Sequence, residues 1–477
     1  MNAGATGRTS AWFALWVLIL VTQFAFIDRQ ILALLTVPVA NSLHLRDVQI
    51  GLIQGLGSAV FAMIATFPLG WLADRYDRRW VLSGSLIVWA AGTAACGLAH
   101  GFPGLFIAVV AIAAGEAGLP SLAYSAIPDL FRGPSRITAN QIFYLAQIMS
   151  AAAGLALGGA ASAALDHLQD SMPHALQGFE HWRLVFFIVA APAPLLIGLI
   201  APTRLGRRSA ARAVAGKAAE APSALLPYLR AHGGAAALVI TALCAHVLPF
   251  GALFVWMPAA LTRLFGVTPA QNGLGLGVAL AVGCGVGVGV AAWLMRRLEG
   301  ALGGRAALRI CWCAMLASLP APALLMFVTS PWQAYALFGL LCVAGTVNGS
   351  LMPGIIQGFS PAKLRGRMTA LNGVCTVITS GIGVTLVGPI SDALGRNAHG
   401  ILIGLTLLFT IFWGLSSLLM KLSEQPFQYL LDHVTNWGAE VERSGTTDST
   451  LPGGAGTAMA TPRAKPPSPD DPDPGRR

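Results

Sequence analysis

Residues 12–39 read WFALWVLILVTQFAFIDRQILALLTVPV, an apolar run that carries charge at one point only, Asp28 and Arg29. A run of this length can cross a bilayer as a helix. An ionised side chain at the bilayer centre costs about 2.5–3.5 kcal/mol on insertion scales. Neighbouring residues on a helix point about 100° apart, so these two charges cannot face each other. Each therefore needs a partner on another membrane helix or a water-filled cavity.

Only one other acid lies deep within an apolar run, namely Glu116. Asp28 lies eleven residues from Val39 and Glu116 eleven residues from Leu105, which is about 16 Å along a helix. Transporters place substrate and ion sites near this depth. Two acids and one guanidinium leave one negative charge uncompensated, so we expect one acid to hold a proton. The alternative is a static ion pair that fixes helix packing.

The composition is that of a membrane protein. Of the 477 residues, 55% are hydrophobic and 10% are charged, and the mean hydropathy is +0.67. Soluble domains carry about 25% charged residues, and a soluble chain of this composition would need a core larger than one domain can hold. The net charge of +10 does not indicate a nucleic-acid partner, because the basic residues fall in alternate connections. The seven cysteines lie in apolar runs without metal-ligand spacing, so we expect no metal site and no cofactor.

Twelve apolar segments are each long enough to span the hydrocarbon core. We place them near 12–39, 49–73, 80–100, 104–127, 138–163, 183–201, 234–261, 271–295, 306–329, 332–358, 367–390 and 399–421. Most Lys and Arg residues lie in the even-numbered connections. The odd-numbered connections hold only Arg46, Arg183, Arg263 and Arg396. The positive-inside rule then places both termini in the cytoplasm.

We predict an all-α membrane protein with twelve transmembrane helices in two pseudo-symmetric six-helix bundles, an architecture common among transporters. The predicted domains are an N-terminal bundle at 1–201, a cytoplasmic linker at 202–233, a C-terminal bundle at 234–421, an amphipathic interfacial helix at 422–437 and a disordered cytoplasmic tail at 438–477. The helical spacing of Phe427, Leu430 and Val434 predicts the interfacial helix on the inner leaflet. The Gly, Pro, Ser and Asp content predicts the tail.

The second span ends in the sequence GWLADRYDRR, residues 70–79, which resembles the signature loop of the major facilitator superfamily. Gly70 has no side chain, so another helix can approach closely, and Asp74 can face the positive N-terminal end of that helix. The alternative is that these charges only set topology, but an acid within a basic loop does not serve topology. We therefore expect a cytoplasmic gate built from Gly70, Asp74, Arg75 and Arg79.

Within that superfamily, the chain resembles the spinster-like transporters. The resemblance rests on short motifs in both halves, among them Asp28-Arg29, Asp74-Arg75, Gly115-Glu116-Ala117, Pro128-Asp129-Leu130-Phe131 and Trp256-x-Pro258. It implies transport of lysolipids or sphingoid lipids, with proton coupling through Asp28 and Glu116. Arg29 is then their counter-charge or a contact for an anionic headgroup.

One departure from the spinster-like pattern concerns the cation near Glu116. The family usually has an arginine seven residues before its glutamate, where this chain has Val109. Seven residues are about two helical turns, so the two positions share a face. Either Arg29 serves both acids, or proton affinity is higher than in relatives, or coupling has changed.

Other polar and aromatic residues of the spans could line a central cavity, although interhelical hydrogen bonding or core packing explains each of them as well. The predicted lining is Gln54, Tyr124, Asn140, Tyr144, Gln147, His246, Trp256, Asn348 and Asn372. No nucleotide-binding loop is recognisable, so we expect secondary transport and no enzymatic activity.

The predicted protein is a monomeric transporter of the plasma (inner) membrane that moves an amphipathic, lipid-like or organic-anion solute by alternating access. Its expected partners are that solute, protons and membrane lipids, with no nucleic acid. Two alternatives stay open at this stage. One is an anion–cation symporter for carboxylates or sugar acids, and the other is a membrane receptor that binds a ligand without transporting it.

Overall fold

The structure, a computed structural model, describes residues 3–131, 134–168, 178–203, 205, 225–361, 364–432 and 434. The helices of the first half are α1 Ala3–Leu34, α2 Thr36–Ser42, α3 Asp47–Leu52, α4 Ser58–Arg75, α5 Arg78–Gly97, α6 Phe102–Glu116, α7 Leu119–Leu130, α8 Pro134–Leu168, α9 His181–Ala190 and α10 Ala193–Ile200. Those of the second half are α11 Leu225–Phe265, α12 Pro269–Leu302, α13 Ala306–Ser318, α14 Pro320–Leu324, α15 Pro331–Phe359, α16 Arg365–Ala393, α17 Ala398–Leu408 and α18 Gly414–Leu422. The predicted tail at 438–477 and most of the predicted linker lie outside the described residues.

These helices supply twelve membrane crossings. Eleven stretches of the described chain are long and apolar enough to span a bilayer. One of them, Pro269–Phe327, has 59 residues, which is enough for two crossings of about 20 residues each and the turn between them. It divides at the turn Gly303–Arg305, where Gly303 takes a φ of +57°. The prediction of an all-α membrane protein with twelve transmembrane helices is therefore confirmed.

The fourth crossing, Phe102–Leu130, is kinked between α6, which ends at Glu116, and α7, which begins at Leu119. Pro120 has no N–H group to donate to the main-chain oxygen of Glu116, one turn earlier. Ala117 and Gly118 keep helical φ and ψ angles, so the helix bends there without breaking. The kink leaves Glu116 at the end of α6 in the middle of the protein.

The two halves meet near Asp47. There α3 and the π-helical turn that follows it, Ile53–Gly57, pack on α16. A Cβ atom added to Gly388 would lie 2.5 Å from the main-chain oxygen of Asp47. By contrast, a Cβ atom on Gly70 or Gly366 would meet no atom within 4 Å. We call these two regions the Asp47 end and the Gly70 end. The halves touch at the Asp47 end and stand apart around these two glycines.

Residues 424–432 form a helix after the last crossing. Glu424 accepts hydrogen bonds from Arg309 at 3.0 and 2.5 Å and from the Trp312 indole at 2.8 Å. Phe427 and Leu430 are 2% and 1% exposed and belong to the main apolar core. The sequence predicts a helix with this apolar face on the inner leaflet. In the structure this apolar face packs on the C-terminal bundle instead. The ion pair between Arg309 and Glu424 holds the helix against the bundle.

Replacing Glu424 with glutamine is expected to loosen this helix. The hydrogen bond from Arg309 holds the pKa of Glu424 below its ordinary value. The ion pair therefore stabilises docking at neutral pH, and this stabilisation is lost as the pH falls below about 4. Arg309 is partly exposed, so we expect a loss of about 1 kcal/mol, seen as faster amide hydrogen exchange at 424–432. Asp432→Asn, which changes an exposed acid of the same helix, is the control. Equal exchange in wild type and Glu424→Gln would contradict this.

Candidate functional site

A cavity of about 190 Å³ lies between the two halves of the protein. Helices α1 and α6 form one side of it, and α11 and α16 form the other. Its apolar wall includes Val109, Ile112, Phe254 and Val255. Its polar lining consists of Asp28, Arg29, Gln30, Gln54, Ser58, Glu116 and Ser380. The three charges predicted from the sequence to meet are thus brought together in one cavity.

The two acids of this cavity have different partners. The Nε and Nη2 atoms of Arg29 both donate to Glu116 Oε1. Asp28 accepts instead from Thr93 on α5, whose hydroxyl lies 2.6 Å from Asp28 Oδ2. Asp28 and Glu116 are 1% and 6% exposed, whereas about half of the Arg29 side chain is exposed. Within the described residues, Glu116 has a cation and Asp28 forms no ion pair.

Each acid also presents one oxygen without a hydrogen-bond partner in the described part of the chain. These atoms are Asp28 Oδ1 and Glu116 Oε2, and the cavity residue Gln30 adds its Oε1. Buried polar atoms are nearly always partnered in folded proteins. The three oxygens are therefore free to accept hydrogen bonds, whereas only the two carboxylates can also take up a proton.

Val109 lines this cavity at the position where spinster-like relatives usually carry an arginine. It is 6% exposed and contributes apolar surface. The hydrogen bonds of Arg29 go to Glu116. The charge of Arg29 also acts on Asp28, so a shared arginine stays among the three possibilities that the sequence leaves open.

Gly115 sets the distance between α6 and α5. A Cβ atom at this position would lie 2.5 Å from the main-chain nitrogen of Trp89 and 2.7 Å from the main-chain oxygen of Ser85. Only a residue without a side chain permits this approach. The approach fixes the neighbouring Glu116 opposite Arg29.

Gly115→Ala is expected to destabilise the protein by about 1–3 kcal/mol, because the new methyl group meets main-chain atoms that cannot move independently. The measurement is thermal unfolding of the purified protein in detergent. Gly285→Ala is the matched control, since a Cβ atom there meets nothing within 4 Å. Equal unfolding temperatures for the two variants would show that α5 and α6 do not pack as described.

Of the nine residues predicted to line a cavity, Gln54 does so, and its Nε2 donates to Thr36 at 3.0 Å. Tyr124 instead packs edge to face on Phe143, with ring centroids 4.9 Å apart. Asn140 donates to the main-chain oxygen of Arg136, one helical turn earlier. Tyr144 and Gln147 lie on α8, as Asn140 does, and they do not line the cavity either.

The four predicted lining residues of the second half are packing residues in this structure. His246, Trp256, Asn348 and Asn372 are each no more than 2% exposed. The His246 ring stacks on Trp413 with centroids 5.6 Å apart. Trp256 donates to the main-chain oxygen of Val384, and Asn348 to that of Ala344. The periodicity of the sequence could not distinguish a helix face that packs on another helix from one that lines a cavity. Both kinds of face are apolar with scattered polar residues.

The predicted gate at the Gly70 end stays a prediction. Gly70 has open space where another helix was expected. The Arg75 guanidinium stacks on the Trp71 ring at 4.0 Å, and Arg79 pairs with Asp77 at 2.7 Å. Asp74 precedes the last residue of α4, and its side chain lies outside the described part of the structure.

One buried ion pair near this loop was missed by the sequence analysis. Arg78 is 1% exposed, and its Nη1 donates to Asp129 at 2.7 Å. It also approaches the main-chain oxygen of Leu205 at 3.4 Å. Asp129 belongs to one of the motifs that resemble the spinster-like pattern. This motif is the feature of the sequence that could have pointed to the ion pair. The pair joins the start of α5 to the end of α7 within the first half.

A second unpredicted network closes the Asp47 end. Arg263 donates to both carboxylate oxygens of Asp47, at 2.6 and 2.7 Å, and Ser391 donates to the same carboxylate at 2.6 Å. The carboxylate of Asp392 in turn accepts from the N–H groups of Asp47 and Val48, both at 3.1 Å. Asp47 is fully buried. Side chains of the second half thus enclose an acid of the first half.

Two further arginines flank this network. Arg46 lies 3.5 Å from Asp392, and Arg396 lies 3.6 Å from Asp392 and 3.9 Å from Asp47. Together with Arg263, they make three of the four basic residues that the sequence places in odd-numbered connections. Basic residues on the side that the positive-inside rule disfavours were a usable signal for an ion-pair site.

Comparisons with known proteins agree with this architecture. The sequence model of the Major Facilitator Superfamily matches residues 18–384. The chain is 26% identical over 418 residues to an MFS-type efflux pump of Mycolicibacterium smegmatis, covering 86% of this chain and 91% of that protein. It is 27% identical over 144 residues to the sphingosine-1-phosphate transporter SPNS2 of Danio rerio, covering 30% of this chain and 28% of that protein.

The solved structures include a bacterial homolog of the human lysosomal transporter Spinster in an inward-facing and unoccupied conformation. It superimposes with a TM-score of 0.74 at 20% sequence identity, covering 88% of this chain and 98% of that chain. At this identity the likeness concerns the fold.

Proposed function

The chain belongs to the major facilitator superfamily and resembles its spinster-like branch, and we propose that it moves an amphipathic solute across the membrane together with protons. The observation that carries this proposal is the cavity between the halves, where two buried acids face one guanidinium. Arg29 neutralises Glu116. Asp28 is 1% exposed and has no cation within the described residues, so it is the carboxylate best placed to take up and release a proton.

The conformation supports alternating access. The halves meet at the Asp47 end and are apart around Gly70. The distribution of Lys and Arg assigns the Gly70 end to the cytoplasm, so this state faces inward. Opening to the other side would require the Asp47 network to separate. The predicted gate residues Gly70, Asp74, Arg75 and Arg79 would then close the cytoplasmic side.

The cavity chemistry favours an amphipathic solute over a purely polar one. Phe254, Val255, Val109 and Ile112 offer apolar contact, and the exposed part of Arg29 can bind an anionic group. A volume of about 190 Å³ holds a headgroup, and an apolar tail would contact the apolar wall. The relation to a sphingosine-1-phosphate transporter is consistent with lysolipids or sphingoid lipids as the solute class.

The same exposed part of Arg29 supports a second candidate, symport of small carboxylates or sugar acids with a cation. Such solutes would use the guanidinium and leave the apolar wall without a contact. The two candidates therefore differ in whether an apolar tail is required.

Flux into liposomes that contain the purified protein tests the proposal. The probes are a fluorescent lysophospholipid and radiolabelled gluconate, each under an imposed pH gradient with and without a protonophore. We expect the lysophospholipid to move and its flux to fall when the protonophore removes the gradient. Movement of gluconate alone would favour the second candidate. Binding of the lysophospholipid without flux would indicate a receptor, and flux that ignores the gradient would exclude proton coupling.

A further inference from the structure

Thr93 lies between Asp28 and a main-chain acceptor. Its Oγ1 is 2.6 Å from Asp28 Oδ2 and 2.9 Å from the main-chain oxygen of Trp89, one turn earlier in α5. Thr93 is fully buried and Asp28 is 1% exposed. A hydroxyl has one hydrogen to donate and can also accept. It can therefore donate to only one of these two oxygens at a time.

We propose that Thr93 is the positioning residue of the proton site and that its hydroxyl reverses direction when Asp28 is protonated. With Asp28 ionised, Thr93 donates to Oδ2. When a proton binds at Oδ2, the new O–H group donates to Thr93 Oγ1, and Thr93 turns its own hydrogen to the oxygen of Trp89. Release of the proton reverses both steps. Each state keeps a hydrogen bond at Oδ2, so neither state leaves that buried atom unpartnered.

Besides Thr93, the indole N–H of Trp89 on α5 approaches Asp28. An indole can only donate a hydrogen bond, so among the described neighbours of Asp28 the reversing role falls to the Thr93 hydroxyl. The face of α8 that packs on α1 next to Asp28 places Gly154 against Ile27, and α11 contributes Gly251 and Phe254 to the cavity. Arg29 is engaged by Glu116. The titratable or charged groups that interact with Asp28 are Arg29, Glu116 and the buried thiol of Cys96. The inference rests on the proposed role of Asp28 as proton carrier.

The two directions of the bond are not equally strong. A hydrogen bond donated to an ionised carboxylate is about twice as strong as a neutral one. Removal of the Thr93 hydroxyl therefore penalises the ionised state more than the protonated state. In Thr93→Val, which keeps the shape and removes the hydroxyl, the protonation midpoint of Asp28 should rise by about one pH unit.

Infrared difference spectroscopy of the purified full-length protein, titrated with pH alone, measures this without any solute. The carboxyl C=O band that is lost in Asp28→Asn reports protonated Asp28. In Thr93→Val we expect this band at higher frequency, because the carboxyl O–H no longer donates, with its midpoint raised by about one pH unit. Thr93→Ser keeps the hydroxyl, so its band frequency and its protonation midpoint should both match those of the wild type. Thr22→Val is the control, since the buried Thr22 hydroxyl bonds only to main-chain oxygens of its own helix, at 2.8 and 3.0 Å.

The outcomes separate this inference from the proposed function. An unchanged band and midpoint in Thr93→Val would overturn the reversing hydroxyl and leave Asp28 as the proton carrier. A spectrum in which Asp28→Asn removes no carboxyl band would refute the proton assignment and this inference with it. If Thr93→Val does not fold, Thr93→Ala removes the same hydroxyl from a smaller side chain and is judged by the same two readings.

Discussion

Asp28→Asn should abolish solute accumulation driven by a pH gradient. One pH unit is worth about 1.4 kcal/mol per coupled proton, which can support up to about tenfold accumulation. Asparagine keeps the shape of the side chain but cannot take up the proton. The accumulation ratio should therefore fall to about one, while downhill exchange of the solute continues. The measurement is the steady-state ratio of fluorescent lysophospholipid across liposomes with a fixed pH gradient.

Two controls make this test specific. Glu299→Gln changes an exposed acid at the end of α12 and should accumulate solute as the wild type does. Glu116→Gln should behave differently from Asp28→Asn, because it leaves the Arg29 guanidinium without its partner. Because the Arg29 side chain is about half exposed, the cost in stability should lie well below the 3–5 kcal/mol typical of a fully buried pair, at about 1 kcal/mol. Undiminished accumulation in Asp28→Asn would rule out Asp28 as the coupling residue.

Asp47→Asn should open the Asp47 end. In the closed state this carboxylate is fully buried and bonded twice to Arg263. In an open state the Asp47 carboxylate and the Arg263 guanidinium would each be hydrated. Removing the charge of Asp47 would then cost little free energy. The substitution therefore destabilises mainly the closed state, by about 3–5 kcal/mol. This should shift the closed-to-open ratio by roughly 100-fold to several thousandfold.

The distance between spin labels at two exposed outer positions, Asn41→Cys and His399→Cys, measures this shift. The native cysteines would first be replaced. We expect one short distance in the wild type and an added longer distance in Asp47→Asn. Glu180→Gln is the control, because the Glu180–Arg183 pair lies within one half. Identical distance distributions for wild type and Asp47→Asn would show that this network does not hold the halves together.

The sequence was sufficient for the fold because each crossing is a long apolar run, and this property does not depend on packing. The meeting of Asp28, Arg29 and Glu116 was also predictable, since buried charges need partners. The division of roles between the acids was not predictable. It depends on Thr93, a residue that resembles many other hydroxyls in membrane helices until its distance to Asp28 is known.

Other features depended on the conformation. A gate sequence is the same whether the gate is open or closed, so residues 70–79 could not reveal that Gly70 stands in open space here. The Asp47 network lies at helix ends, beyond the predicted apolar segments, where periodicity gives no information about which side chains meet. The apolar face of residues 424–432 was recognised correctly, but its partner was not. The burial of Phe427 and Leu430 in the core and the Arg309–Glu424 pair show that the bundle covers this face.

Simultaneous recording of solute and proton movement shows whether Asp28 carries the coupled proton. Liposomes would hold a pH-sensitive dye and receive fluorescent lysophospholipid. Asp28→Asn would be compared with the wild-type protein and with Glu299→Gln. We predict that the wild type and Glu299→Gln move protons with the solute and that Asp28→Asn moves solute without protons. Proton movement at the wild-type level in Asp28→Asn would contradict this assignment.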